Sequence, residues 1–191
     1  MPTEALLQNF LMFVVVPVWL LAGLADYFCH RATDIERTSG VLESLLHLLQ
    51  FALVGVPLLA ALFLEINAAV LLIMLAGLVL HQATAVWDVR YANATRHVSP
   101  AEQHVHGVLE MAPAIATAVV AILKWPDFLS LFGIGDARFA LEPKHVPLPG
   151  WYLAALMSGV VAFGVLPYGE ELLRTLRAGS VTRARTRASG S

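Results

Sequence analysis

Carboxylate and histidine residues recur at helical spacing near the ends of long apolar segments. Asp26 and His30 are four residues apart, and Glu43 and His47 repeat that spacing. Four residues are about one helical turn, so each pair lies on one face of its helix. Imidazole and carboxylate groups both bind metal ions, and each pair can therefore offer two ligands to a common site.

Two later apolar segments carry further groups of this kind. His81 and Asp88 share one helical stripe, although they are about 10 Å apart along the helix axis. Glu102, His106 and Glu110 follow one another at four-residue intervals. A charged group within a bilayer costs on the order of a few kcal/mol unless it is paired or ligated, so these residues indicate a functional site.

The composition is that of an integral membrane protein. Hydrophobic residues make up 58% of the chain and charged residues 14%, with a mean hydropathy of +0.72. These values exclude an ordinary soluble domain. Five apolar stretches are long enough to cross the hydrocarbon core as helices. Their predicted limits are 7–29, 41–64, 68–87, 105–124 and 151–168. We treat the first as a retained span because no basic region precedes it.

The alternating direction of five spans predicts which polar groups share a side of the membrane. The ends that carry the histidines and carboxylates fall on one side, together with nine of the 12 lysines and arginines. By the positive-inside rule this side is cytoplasmic, and the N-terminus lies outside. We therefore predict an all-α integral membrane protein of the inner membrane. Residues 1–173 form one polytopic domain, and the basic tail 174–191 is predicted to be disordered in the cytoplasm.

The polar side chains are expected to form a metal centre at the cytoplasmic end of a four-helix bundle. The predicted ligands are Asp26, His30, Glu43, His47, His81, His106 and Glu110. One zinc ion takes about four protein ligands, so this larger set indicates two metal ions. Four-helix carboxylate proteins hold two iron or manganese ions with such side chains. Here the pairs are four residues apart instead of three, so only an analogy of architecture is drawn.

Further residues are assigned to supporting roles. Asp88 and Glu102 are predicted as catalytic carboxylates, with Asp88 also possible as a ligand. Four residues are predicted to orient ligands or to bind an anionic part of the substrate: His97, His104, Arg90 and Arg96. Glu170 and Glu171 are interpreted as ion-pair partners of Arg174. For any single pair, an ion-pair network without metal is the alternative.

The function predicted from this pattern is a metal-dependent membrane enzyme. Iron is favoured over manganese or zinc, and the expected chemistry is hydroxylation, desaturation or another oxygenation of a lipid or hydrophobic substrate, supplied by an electron donor. The alternatives are a zinc-dependent lipid hydrolase, a small proton or metal transporter, and an electron carrier that is quinone-linked or holds haem b between His47 and either His81 or His106. The basic tail lacks the interleaved aromatic residues of a nucleic-acid binder.

Overall fold

Five long helices and one short helix make up the fold. The structure is a computed structural model that describes residues 2–189, with side chains described as far as Ser180. The long helices are α1 (Thr3–Ala32), α2 (Val41–Phe63), α3 (Ala68–Thr95), α4 (Pro100–Leu123) and α6 (Gly150–Ser180), and the short one is α5 (Trp125–Ser130). All five long helices are long and apolar enough to cross a membrane. The predicted all-α fold is confirmed, and the described residues contain five helices that could cross a membrane, the number predicted.

Several helices extend beyond the apolar stretches that predicted them. The side chain of Ser99 accepts a hydrogen bond from the backbone N–H of Glu102, and this cap starts α4 before its apolar stretch. At their C-terminal ends, α3 and α6 continue for several turns after their apolar residues end. Hydropathy marks the part of a helix that suits lipid, whereas capping and side-chain packing decide where the helix ends. The additional turns carry four buried polar residues, Asp88, Glu102, Glu171 and Thr175.

Prolines locally widen two of the long helices. A π-helical turn at Leu11–Val15 precedes Pro17 in α1, and another at Val161–Val165 precedes Pro167 in α6. Proline has no N–H to donate to the preceding turn, which leaves the helical hydrogen-bond ladder to rearrange around it. Both wide turns lie in the apolar part of the bundle, below the polar end of each helix.

The long helices close into a ring around a shared interior. Helix α1 packs against α4 and α6, helix α2 packs against α3 and α6, and α3 also packs against α4. Helices α2 and α3 approach closely at Gly77, where an added Cβ would lie 2.5 Å from Cγ of Pro57 and 2.7 Å from the carbonyl oxygen of Leu53. Only glycine permits this spacing. Since all five helices border the interior, a site there can draw side chains from each of them.

One end of the ring is covered by an extended segment after α5. The backbone N–H of Glu65 donates to the carbonyl of Glu142 at 2.8 Å, and the side chain of Asn67 donates to the carbonyl of Ala140 at 2.7 Å. The N–H of His145 donates to the Glu65 carboxylate at 2.7 Å, and this hydrogen bond lowers the pKa of Glu65. These contacts fix the tight turn between α2 and α3.

The chain after Arg174 differs from the predicted disordered tail. The helix of α6 continues past Ser180, and its last part is helical over Leu166–Ser189. Arg174 forms ion pairs with Glu36 and Glu170, and the Thr175 side chain is buried. Low hydropathy does not reveal these contacts of Arg174 and Thr175. The side chains after Ser180 and the last two residues of the predicted tail lie outside the described part of the chain.

Candidate metal centre

One buried carboxylate, Glu171 of α6, holds two histidines from different helices. Its Oε2 accepts a hydrogen bond from His30 Nδ1 of α1, and its Oε1 accepts one from His47 Nδ1 of α2, both at 2.8 Å. Ser44 Oγ donates to the same Oε1 at 2.8 Å. Because a carboxylate only accepts, each Nδ1 carries the proton, and in a neutral imidazole Nε2 then keeps its lone pair.

The two imidazoles present these Nε2 atoms side by side. The rings of His30 and His47 are stacked, with centroids 4.2 Å apart and planes within 5° of parallel. Both Nε2 atoms are buried, and within the described residues neither has a hydrogen-bond partner. A histidine whose Nδ1 is fixed by a carboxylate and whose Nε2 is free has the arrangement of a metal ligand.

The first group of ligand atoms comes from α1 and α4. Asp26, His30, Glu102 and His106 each offer one atom, and all four atoms lie within 4.8 Å of one another. Asp26 Oδ1 is 3.0 Å from His106 Nε2 and 3.4 Å from His30 Nε2, and Glu102 Oε1 is 3.6 Å from His30 Nε2. Four oxygen and nitrogen atoms at these separations can surround one metal ion.

The second group lies beside the first and is centred on α2. His30, Glu43 and His47 offer one atom each within the same 4.8 Å limit. Asp88 of α3 adds a carboxylate whose Oδ2 is 3.3 Å from His47 Nε2 and accepts a hydrogen bond from Gln50 at 3.0 Å. His30 belongs to both groups, so the two potential ion positions are adjacent. The buried His, Asp and Glu side chains could therefore hold a metal ion, and enough candidate ligand atoms remain for a second ion.

Arg96 lies between the glutamates of the two groups. Its Nη2 is 2.5 Å from Glu43 Oε1 and 2.5 Å from Glu102 Oε1, and Nη1 donates to Glu102 Oε2 at 3.0 Å. Burial acts to lower the pKa of Arg96, but the hydrogen bonds to Glu102 and Glu43 outweigh it and raise the pKa above its usual value. The side chain is 2% exposed. The guanidinium therefore holds two candidate ligands in place, and the carboxylates of Glu43 and Glu102 occupy the nitrogens that a substrate anion would need.

The cluster carries more negative than fixed positive charge. Five buried carboxylates surround it: Asp26, Glu43, Asp88, Glu102 and Glu171. Arg96 is the one buried guanidinium that contacts them in the described part of the chain. With neutral histidines, four negative charges remain, which is the charge that two divalent cations would balance. Buried charge is tolerated only when it is paired or ligated, so the cluster requires cations or protonated histidines.

His81 and Glu110, two of the predicted ligands, lie outside both groups of ligand atoms. His81 is seven residues from Asp88, and Glu110 is one turn beyond His106, so they lie about 10 Å and about 6 Å farther along their helices. Both instead line a cavity of about 40 Å³ that adjoins the centre. Helical spacing correctly predicted that both side chains face the interior of the bundle. They lie farther along the helix axis than the candidate ligands, and this distance separates them from both groups.

Three of the residues that were predicted to support the site lie at the surface. His97, His104 and Arg90 are exposed. The Nδ1 of His104 donates to the carbonyl of Pro100 at 2.7 Å, one turn earlier in its own helix. Within the described residues, the contacts of the buried cluster involve none of these three side chains. Glu102, predicted as a catalytic carboxylate, instead belongs to the first group of ligand atoms.

Glu170 and Glu171 have different roles although they are adjacent. Glu170 pairs with Arg31 at 3.0 Å and with Arg174 at 3.4 Å, so its predicted interaction with Arg174 is confirmed. Glu171 points inward and makes the centre a five-helix site instead of the predicted four-helix one. Continuing the fifth helix about two turns past its apolar residues would have placed Tyr168, Glu171 and Thr175 on one face.

Comparison of the chain with protein-family models, curated proteins and solved structures gave no match. Fold and site together define an all-helical protein with five helices that could cross a membrane and a buried cluster that could hold a metal ion.

Proposed function

We propose that the protein is a membrane-embedded, metal-dependent oxidoreductase with a non-haem di-iron centre, acting on a lipid or other hydrophobic substrate. The observation that carries this proposal is the pair of histidines on Glu171. Both Nδ1 atoms are held by one carboxylate, and both Nε2 atoms are left open beside carboxylates from other helices. An ion-pair network has no need to fix both imidazoles in this orientation, whereas a metal centre does.

The ligand types favour iron or manganese over zinc. Asp26, Glu43, Asp88 and Glu102 supply carboxylate oxygens, and three histidines supply nitrogens within the same cluster. Mixed carboxylate and imidazole sets on facing helices hold two iron or manganese ions in helical bundles, while zinc sites use about four ligands. Iron bound there would supply oxygen activation.

The chain's own residues support such chemistry around the centre. Gln50 holds Asp88 in place with a hydrogen bond, and Arg96 fixes Glu43 and Glu102. The cavity beside the centre has largely apolar walls that include Trp19 and Leu20. Such walls exclude water from a reactive centre and accept an alkyl group.

The proposed orientation places the centre on the cytoplasmic side. Arginines of the described part cluster at this end, where Arg31 and Arg174 pair with glutamates near the cluster, and Arg37 lies in the adjacent loop. Lys124, Arg138 and Lys144 lie at the other end with the α2–α3 turn. The excess of arginine follows the positive-inside rule, so the N-terminus is placed outside.

A proton relay is the second candidate, and two distances favour it. His106 Nε2 is 3.0 Å from Asp26 Oδ1, and His47 Nε2 is 3.3 Å from Asp88 Oδ2. Protonated histidines would form ion pairs at these positions without any metal. The haem alternative has less support, because a cavity of about 40 Å³ has room for a few water-sized groups and not for a porphyrin.

The oxidoreductase is tested by the lipids of cells that produce the protein. Cells expressing the natural chain are expected to contain a lipid that has gained one oxygen atom or lost two hydrogen atoms, detected by mass spectrometry. Cells expressing His47→Ala at the same level should lack it, while cells expressing His145→Ala, a change at an exposed histidine of the other end, should retain it. A lipid profile identical for all three chains, with iron bound, would contradict oxidation of a lipid.

A further inference from the structure

Two ionisable side chains line the cavity without joining the candidate metal centre. They are His81 of α3 and Glu110 of α4. Each lies near the middle of its helix, Ala68–Thr95 or Pro100–Leu123. The side chain of Gln82 donates a hydrogen bond to the backbone carbonyl of Glu110 at 3.1 Å, and this contact places the two helices at the same level there. A polar pair thus lies about half-way along the spans.

Both side chains have polar atoms without a hydrogen-bond partner among the described residues. His81 is 3% exposed, and within the described residues its Nδ1 has no hydrogen-bond partner. Among the hydrogen bonds and ion pairs of the same residues, the one at Glu110 uses its backbone and none uses its carboxyl group. Ionisable groups in the middle of a membrane span are costly, and they mark a site for a ligand or an ion by default.

The cavity that they line is long and narrow. Its lining runs from Trp19 to Asp26 on α1 and from His47 to Val54 on α2. Seven residues of helix correspond to about 10 Å at 1.5 Å per residue. A volume of about 40 Å³ spread over that length suits an unbranched chain better than a ring system. One end of the cavity is the candidate centre, and His81 and Glu110 lie farther along it among mainly apolar walls.

We infer that His81 and Glu110 bind the polar group of the substrate, an unbranched alkyl chain that carries a hydroxyl group. A hydroxyl group can donate to a carboxylate while it exchanges a hydrogen bond with an imidazole nitrogen, which satisfies both side chains. The apolar walls then hold the alkyl carbons and direct part of the chain toward the centre. This inference rests on the proposed metal-dependent enzyme, because the same cavity reaches Asp26 and His47.

Fluorescence of Trp19 provides the test. Trp19 lines the cavity and is 7% exposed, whereas Trp87, Trp125 and Trp151 are at least half exposed. The three exposed tryptophans are replaced by phenylalanine in the full chain. The purified protein is then titrated with 6-bromo-1-hexanol, whose bromine quenches indole fluorescence, and in parallel with 1-bromohexane, which lacks the hydroxyl group.

The alcohol is expected to quench Trp19 in a saturable manner and with higher affinity than the bromoalkane. His81→Leu and Glu110→Met each remove one hydrogen bond at similar side-chain volume, and each should weaken binding of the alcohol by about tenfold. Neither change should alter quenching by 1-bromohexane. His145→Leu, a matched change at an exposed histidine, should leave both titrations unchanged.

Metal content of the same variants separates failure of this inference from failure of the proposed function. Both cavity variants should bind as much iron as the unsubstituted chain. Loss of iron would overturn the inference, because His81 or Glu110 would then be a ligand, yet it would leave the metal enzyme intact. Equal quenching by the two probes in all variants would also overturn it. Variant-sensitive binding of the alcohol in a chain that binds no iron would retain the polar-group site and refute the proposed function.

Discussion

The two ends of the bundle both contain buried polar groups, but they use them differently. At the α2–α3 turn, Asn67 caps α3 through its side-chain oxygen and donates to the carbonyl of Ala140, and Lys144 donates to the carbonyl of Leu64. Each of these side chains serves a nearby backbone group. At the opposite end, His30, His47 and Glu171 bond to one another across three helices.

This difference distinguishes polar residues that form a candidate site from those that only stabilise the fold. Polar residues that stabilise the fold satisfy backbone groups and leave little unpaired. The cluster at the other end leaves His30 Nε2, His47 Nε2, Asp26 Oδ1 and Asp88 Oδ1 buried and without hydrogen-bond partners in the described residues. Four such atoms within one cluster are an arrangement that could hold a metal ion.

The largest effect is expected from His30→Ala, because His30 belongs to both groups of ligand atoms. This variant should lose most or all of the bound metal. Elemental mass spectrometry of the detergent-purified protein measures it, with His104→Ala as the exposed control. Full metal content in His30→Ala would contradict the account that the polar groups at this end bind metal while those at the α2–α3 turn stabilise the fold.

Arg96→Gln should destabilise the metal-free protein by about 3–5 kcal/mol, because it leaves Glu43 and Glu102 buried without their shared cation. Added metal should recover part of that loss, since the ion then supplies the positive charge. Thermal unfolding with and without iron measures both effects. Equal destabilisation in the two states would show that Arg96 acts independently of the metal.

Glu171→Gln should weaken metal binding by about 10–100-fold, the usual effect of losing a carboxylate that orients histidine ligands. The amide can still accept one hydrogen bond, so the fold should be retained. Competition with a chelator of known affinity measures the change. Glu170→Gln, in the adjacent and exposed ion pair with Arg31, should leave the metal affinity unchanged.

Asn67→Ala should have the smallest effect and should act on stability alone. It removes the cap of α3, whose oxygen accepts from the N–H of Ala69 at 2.9 Å, and a cost of about 1 kcal/mol is expected. Thermal unfolding detects this change, and metal content should stay constant. A loss of metal in this variant would mean that the two ends are coupled.

The sequence was sufficient to predict five long apolar helices and the two pairs with four-residue spacing. Asp26 with His30 and Glu43 with His47 were correctly placed together, because helical periodicity fixes which face a residue occupies. Periodicity does not fix the level at which two helices meet. His81 and Glu110 therefore face the interior as predicted, but they lie farther along their helices than the two groups of candidate ligand atoms.

The sequence also failed to predict that Glu171 faces the interior, and here the reason is different. Hydropathy ended the fifth span at Tyr168, so the next turn was interpreted as a surface with local ion pairs. The same limit affected Arg96, which follows the end of α3 and reaches back to two helices. Long-range hydrogen bonds between helices depend on the packed arrangement, which a single sequence does not specify.

The most direct test of the account is the number of iron ions that the chain binds. The detergent-purified protein is loaded with iron(II) without oxygen, freed of unbound metal, and analysed for iron per chain together with the His30→Ala variant. The account predicts about two ions per natural chain and a clear loss in the variant. No more iron in the natural chain than in the variant would contradict it and would identify the cluster as a network of protonated histidines and carboxylates.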